Sequence, residues 1–216
     1  MIEYKNHIDV FSLEGSWWFS KLTSETEWGN LPLAESYLKK YWLSEDEYYA
    51  KWRPIQERIF MGSDSSLPDL VFKENFEMVA LRGGCLFLKE DFEQLQKCLL
   101  EVGEKYLIVV ENTFGDQLGE PAFRMKYPAM ISWEEITNGN FISSTIIEHP
   151  HKEYFVFGAS GNWGKYSAND YENPLDIIGF KPECSTIFKE QFEQSEEEQQ
   201  EIREWLPPKY KEAIIK

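Results

Sequence analysis

The stretch YFVFGASGNWGKYSANDYENPLDIIGF, residues 154–180, decides the fold, because it reads as three strands joined by two turns. The three apolar runs cover residues 154–157, 163–167 and 175–180. Aromatic and β-branched residues favour strands, and Gly, Asn, Asp and Pro cluster between the runs, as is typical of turns. Two successive hairpin connections predict a β-meander. In the second run, Trp163 and Tyr166 are three residues apart, so we expect them near opposite faces of the sheet.

Three glycines in this stretch suggest a phosphate-binding loop at first sight. Gly158, Gly161 and Gly164 have the spacing GxxGxxG, whereas the dinucleotide-binding motif is GxGxxG. Anion binding by such a loop needs a helix N-terminus or a nest of amides. Because Pro and Asn residues follow instead of a helical pattern, we interpret the glycines as turn residues.

Helical patterns lie on both sides of the meander. They cover residues 31–42, 44–59, 90–102, 132–139 and 195–206. Three of them begin with the capping-box pattern, at Ser44, Ser132 and Ser195. A strand–helix–strand pattern over residues 78–110 also predicts a right-handed crossover between parallel strands.

Together these patterns predict the α+β class. We expect a helical N-terminal part packed on a mixed, largely antiparallel sheet, with the meander over residues 141–180 and C-terminal helices. The 216 residues form one domain in this interpretation, because a chain of this length buries a large core. The loop at residues 62–70 is the place where a sub-boundary would fall.

The formal net charge of −16 limits the classes of partner. A chain this acidic repels nucleic acid and anionic membrane surfaces, and it attracts basic proteins. The alternative interpretation is that the charge only keeps the protein in solution. The N-terminus has no apolar signal region and no run has the length of a membrane span, so the cytoplasm is the expected location.

Signals for an enzyme are weak. Cys85, Cys98 and Cys184 are widely spaced in apolar contexts, which favours reduced core thiols over disulfides or a metal site. His149 and His151 have no third ligand at a metal-binding spacing, so no metal or other cofactor is expected.

Two carboxylates leave a catalytic alternative open. Glu111 and Asp170 each follow a predicted strand, and such a pair serves as acid and base in a small hydrolase or transferase. An Asp in a turn also commonly binds its own backbone. A third alternative is a scaffold domain without a specific site.

Binding signals are stronger, because aromatic and acidic residues meet at the turn ends of the meander. Aromatic anchors with an acidic rim suit recognition of a basic protein surface. The candidate partner-binding residues are Asn162, Trp163, Tyr166, Asn169, Asp170 and Tyr171, together with Glu197 and Glu201 of the acidic helical pattern near the C-terminus. Burial of Trp163 and Tyr166 in the core is the alternative for those two rings.

Two phrases resemble a known family. They are YPAMISWEEITNGNFIS, residues 127–143, and FGASGNWGKYSANDYENPLDIIGF, residues 157–180. With Leu31-Pro32 at the start of the helix predicted over residues 31–42, followed by Tyr37-Leu38, they resemble the SMI1/KNR4-like immunity proteins of bacterial polymorphic toxin systems. The resemblance implies helices before an antiparallel sheet, and a non-enzymatic protein that neutralises a toxin domain, often a basic nuclease. The oligomeric state stays open.

Overall fold

A six-stranded antiparallel sheet forms the centre of the molecule. The computed structural model describes residues 36–37, 40–62, 65–83, 85–112, 123–137, 153–168 and 174–214. The strands are β1 (Glu77–Arg82), β2 (Tyr106–Glu111), β3 (Arg124–Pro128), β4 (Tyr154–Phe157), β5 (Trp163–Ser167) and β6 (Leu175–Phe180). Their order across the sheet is β1-β6-β5-β4-β2-β3.

The meander over β4, β5 and β6 is confirmed, and so is the α+β class. Neighbouring strands of the meander pair in sequence order, with Tyr154 opposite Ser167 and Trp163 opposite Phe180. The predicted strand within residues 141–147 lies outside the described residues.

The strand–helix–strand prediction is correct in strand direction, but the two strands are not neighbours in the sheet. Every pairing among the described strands is antiparallel. β1 and β2 run in the same direction, but β6, β5 and β4 lie between them. The physical reason is that β6 is buried on both faces and fills the place beside β1, where Met78 lies opposite Gly179.

Helices cover both faces of the sheet, so the molecule has three layers. The helices are α1 (Glu45–Glu47), α2 (Arg53–Ile59), α3 (Lys89–Glu101), α4 (Trp133–Ile136), α5 (Ser185–Gln191), α6 (Glu196–Trp205) and α7 (Pro208–Ile214). A π-helical segment, Tyr48–Trp52, joins α1 to α2. One core cluster packs α3, α4 and α5 on one face, and a second packs the helices of residues 45–59 with α6 and α7 on the other.

The predicted helix starts are confirmed by their caps. The side-chain oxygens of Ser44 and Ser132 each accept a hydrogen bond from the amide three residues later. Ser195 forms a complete capping box with Glu198. Pro54 lies in the first turn of α2, directly after the π-helical segment. Of the predicted helix over residues 31–42, the described part includes helical residues 36–37 and 40–41.

The loop at residues 62–70 joins two segments that are bonded to each other. Met61 donates its amide to the Val71 carbonyl, at 2.7 Å, and Lys73 donates to the Ile59 carbonyl, at 3.0 Å. Residues on both sides of the loop belong to the same core cluster.

The three thiols are reduced, as predicted. Cys98 and Cys184 are buried, whereas Cys85 is half-buried. Burial raises the pKa of the Cys98 thiol to about 12. Because the thiolate is the reactive form, Cys98 is inert at neutral pH in the folded protein.

This difference predicts the result of a thiol titration. At pH 8 the native protein should release at most one equivalent of chromophore from a disulfide reagent, from Cys85. The same reagent in denaturant should titrate all three thiols. Two or more fast equivalents in the native state would contradict the burial of Cys98 and Cys184. The variant Cys85→Ser, which should remove the fast equivalent, is the control.

Candidate functional site

The two central aromatic candidates are buried. Trp163 and Tyr166 each have 0% of their surface exposed, and they lie in the core clusters on opposite faces of the sheet. The alternation along β5 is therefore confirmed, but neither ring is available as a surface anchor. The reason is that β5 is an inner strand with helices on both faces. The core alternative is the correct one for these two residues.

The surface candidates lie at opposite ends of β6. Asn162 is half-buried and accepts from the amide of Lys181, at 2.8 Å, just after β6 ends. Glu201 forms an ion pair with Arg82, which lies opposite Leu175 at the start of β6. A strand of six residues is about 17 Å long, so Asn162 and Glu201 do not form one site.

Other predicted site residues divide between the surface and the part of the chain that is not described. Glu197 is exposed on α6. Asn169, Asp170 and Tyr171, and also His149 and His151, lie outside the described residues. The Glu111 carboxylate accepts from the amide of Phe123, at 3.0 Å. Its pairing with Asp170 stays a prediction. Among the described residues, no group of three or more His, Cys, Asp or Glu is placed to hold a metal ion.

The glycine-rich turn binds an anion of its own chain. The Glu104 carboxylate accepts from the amides of Ala159, at 2.9 Å, and Ser160, at 3.1 Å. It also accepts from the indole of Trp163, at 3.0 Å. A Cβ at Gly158 would lie 2.3 Å from the same carboxylate, so this close approach needs glycine. Gly158 and Gly161 lie between β4 and β5, as the turn interpretation predicts, whereas Gly164 lies within β5; the amides of Ala159 and Ser160 are already occupied.

A charged cluster lies inside the sheet, between β5, β6 and the loop before α3. The Lys165 ammonium is 2.5 Å from the Asp176 carboxylate, and it donates to the Leu86 carbonyl, at 2.6 Å. The Ser167 hydroxyl lies 2.6 Å from Asp176 and 3.1 Å from the ammonium. Burial raises the pKa of the Asp176 carboxyl, and Lys165 and Ser167 offset part of that rise.

This cluster is structural in the conformation observed. The side chains of Lys165 and Asp176 are 2% and 3% exposed, and Ser167 is 1% exposed. A nucleophile or general base must come within hydrogen-bond reach of its substrate. No substrate atom reaches Ser167 while its neighbours stay in place.

A groove lies at the β1 edge of the sheet. Its volume is about 280 Å³. It is lined by Met78, Val79, Ala80, Lys189, Phe192, Glu193, Gln194, Gln199, Ile202, Arg203, Leu206 and Ile214. The link between α5 and α6 crosses the edge here, where Gln194 donates to the Ala80 carbonyl, at 2.8 Å. Seven of the twelve lining residues are apolar, so the groove offers mainly apolar contact.

Carboxylates are concentrated beside this groove. Residues 183–206 contain eight Glu, one Lys and one Arg, and so carry −6 of the net charge of −16 in a ninth of the chain. Within residues 183–206, the exposed carboxylates that form no ion pair with any described residue are those of Glu183, Glu190, Glu193, Glu196, Glu197, Glu198 and Glu204. The acidic pattern was visible in the sequence, but the groove was not, because it needs β1 beside α5, α6 and α7.

Comparisons with known proteins do not change this picture. No protein-family model, no curated protein and no solved structure matches the chain. The likeness to immunity proteins therefore stays a prediction. No helix in the described part of the chain is both long and apolar enough to cross a bilayer.

Proposed function

We propose that this chain is a non-enzymatic protein-binding domain whose partner presents a basic segment with a protruding apolar side chain. The observation that supports this most is the groove at the β1 edge, with its exposed and unpaired carboxylates. In the resemblance to SMI1/KNR4-like proteins, such a partner would be a toxin domain.

The groove supplies the apolar contact of the proposed interface. Met78, Val79 and Ile214 are half-buried there, so they retain apolar surface for a partner to cover. Interface energy concentrates in a few anchors that fill pockets, surrounded by a polar rim. A groove of about 280 Å³ accepts one large apolar side chain as such an anchor.

The carboxylates supply the attraction and the preference for a basic partner. Lys189 lines the groove, but its charge is compensated by Glu77, at 2.6 Å. Arg203 and Glu193 also line the groove, and the excess of negative charge comes from the surrounding residues 183–206, which carry −6. Complementary charge of this kind raises association rates by roughly ten-fold or more at low salt.

A short peptide probe tests the proposal. The probe is a dye-labelled Lys-Lys-Trp-Lys-Lys peptide, followed by fluorescence anisotropy. We expect binding at 20 mM salt and a dissociation constant at least ~10-fold larger at 300 mM salt. Added salt shortens the Debye length, and attraction between exposed charges farther apart than this length is screened. Replacing Trp by Gly in the peptide should weaken binding, and replacing Lys by Glu should abolish it.

Charge-reversal variants locate the binding surface. Glu193→Lys with Glu197→Lys should weaken binding of the probe by at least ~10-fold. The control is Asp46→Lys with Glu134→Lys, which changes the net charge equally on exposed helical residues near the β3 edge. Equal weakening by both pairs, or binding that is insensitive to salt, would contradict the proposal.

A further inference from the structure

A buried cation on β3 forms no ion pair with any residue that the structure describes. Arg124 is 4% exposed, and its Nε and Nη2 atoms are buried without a hydrogen-bond partner. The guanidinium makes a cation–π contact with the Tyr48 ring, with 5.4 Å from the guanidinium carbon to the ring centroid. A buried ion without partners costs several kcal/mol, and native proteins contain few such groups.

The two unpartnered nitrogens form one edge of the guanidinium. Nε and Nη2 point their N–H bonds side by side, and this edge is the fork that binds both oxygens of a carboxylate or a phosphate. A single buried water accepts from both N–H groups but leaves the charge uncompensated. An oxyanion satisfies both donors and the charge.

Among the described residues near Arg124, Gln56 has an unused donor, and the carboxylate of Glu47 already has hydrogen-bond partners. The Tyr48 hydroxyl donates to Gln56 Oε1, at 2.7 Å, while Gln56 Nε2 is buried without a partner. Glu47, the acid before Tyr48, accepts instead from Trp52 and from Lys126, at 3.0 and 2.7 Å.

The local backbone also points to a functional position. Tyr48 and Trp52 are the first and last residues of the π-helical segment. Single-turn π segments occur frequently at functional sites. The segment places Tyr48 against Arg124 at the β3 edge, which is the edge of the sheet opposite the groove.

We propose that Arg124 is the anchor of a binding site for a small oxyanion, a carboxylate or a phosphate, held bidentately by Nε and Nη2. Gln56, whose Oε1 accepts from the Tyr48 hydroxyl, lies on the same side of the sheet, and its Nε2 offers a further donor. This site is independent of the protein-binding surface, because the two lie at opposite edges.

Thermal unfolding tests the site with inorganic phosphate, acetate and citrate, each compared with chloride at equal ionic strength. A ligand at 100 times its dissociation constant should raise the Tm of the wild-type protein by roughly 5–10 °C. A rise with phosphate alone identifies phosphate chemistry, and a rise with acetate or citrate alone identifies a carboxylate. Kosmotropic anions such as phosphate also stabilise proteins non-specifically, so the rise must be compared between variants.

Three variants separate specific binding from general stabilisation. Arg124→Met should lose the specific rise, and Arg124→Lys should lose at least ~10-fold in affinity, because an ammonium lacks the fork. Arg82→Met, which removes an exposed cation on β1, should keep the full rise. If Arg124→Met does not fold, isothermal titration calorimetry compares the anion affinity of the wild type with that of Arg124→Lys. Equal anion responses in wild type and Arg124 variants, or no titratable heat with any of the three anions, would overturn the proposal.

Discussion

Replacing Asp176 by Asn is expected to lower the free energy of unfolding by about 3–5 kcal/mol, because it leaves the Lys165 charge buried and unpaired. Two features make the expected loss of stability large. The Lys165 ammonium is 2.5 Å from the Asp176 carboxylate, and both side chains are almost fully buried. Urea denaturation followed by far-UV circular dichroism measures the change. Unchanged stability would show that the ammonium has another partner or an exit to solvent.

A double variant separates the charge effect from a loss of packing. Lys165→Met together with Asp176→Asn removes both charges and leaves Ser167 a polar neighbour. Its stability should exceed that of Asp176→Asn alone, since a buried ion pair is often replaceable by uncharged residues at little cost. Residues in direct contact are not additive. Purely additive losses would contradict a coupled pair.

Trp163→Ala is the second change with a large expected effect. Its ring has 0% exposure and stacks on Phe188, with 6.1 Å between the ring centroids. Loss of a buried Trp leaves a cavity and should lower the free energy of unfolding by about 3–5 kcal/mol. It also leaves the Glu104 carboxylate without the indole donor. Urea denaturation checks this value as well.

The control for Trp163 is Leu100→Ala. Leu100 is 66% exposed on α3, and surface substitutions of this kind usually change stability by less than about 0.5 kcal/mol. At a temperature where the Trp163→Ala variant stays folded, its affinity for the cationic peptide should equal that of the wild type. If the Trp163→Ala variant lost affinity for the peptide but kept the stability of the wild type, Trp163 would have to contribute to the binding surface.

Local elements of this fold could be predicted from the sequence because their signals are local. Turn residues flank all three strands of the meander, and a Ser with an acid three residues later starts α1, α4 and α6. Those patterns report on backbone geometry within a few residues, which is where they were correct.

Strand order could not be predicted, since periodicity contains no information on which strands are neighbours. The pattern over residues 78–110 fits a crossover equally well whether β1 and β2 touch or are separated by three strands. The long-range pairing of β1 with β6 determines which strands are neighbours. No local sequence pattern indicates that Met78 lies opposite Gly179.

The candidate sites show the same limit. Alternation predicted that Trp163 and Tyr166 face opposite sides of β5, but it does not say whether either side is covered. Nothing in the local sequence indicates that the charged strand residues Lys165 and Arg124 are buried. Both are buried because α3 and the helical residues 45–59 pack over them.

A nuclear magnetic resonance titration tests the proposed binding surface most directly. The protein is labelled with ¹⁵N, and the Lys-Lys-Trp-Lys-Lys peptide is added at low salt. Amide shifts should change at Gln194, Gln199 and Ile214, around the groove, while those of Ser160 and Asn162 stay constant. Changes confined to the turn at Ser160 and Asn162, or none at saturating peptide, would contradict a protein-binding surface at the β1 edge.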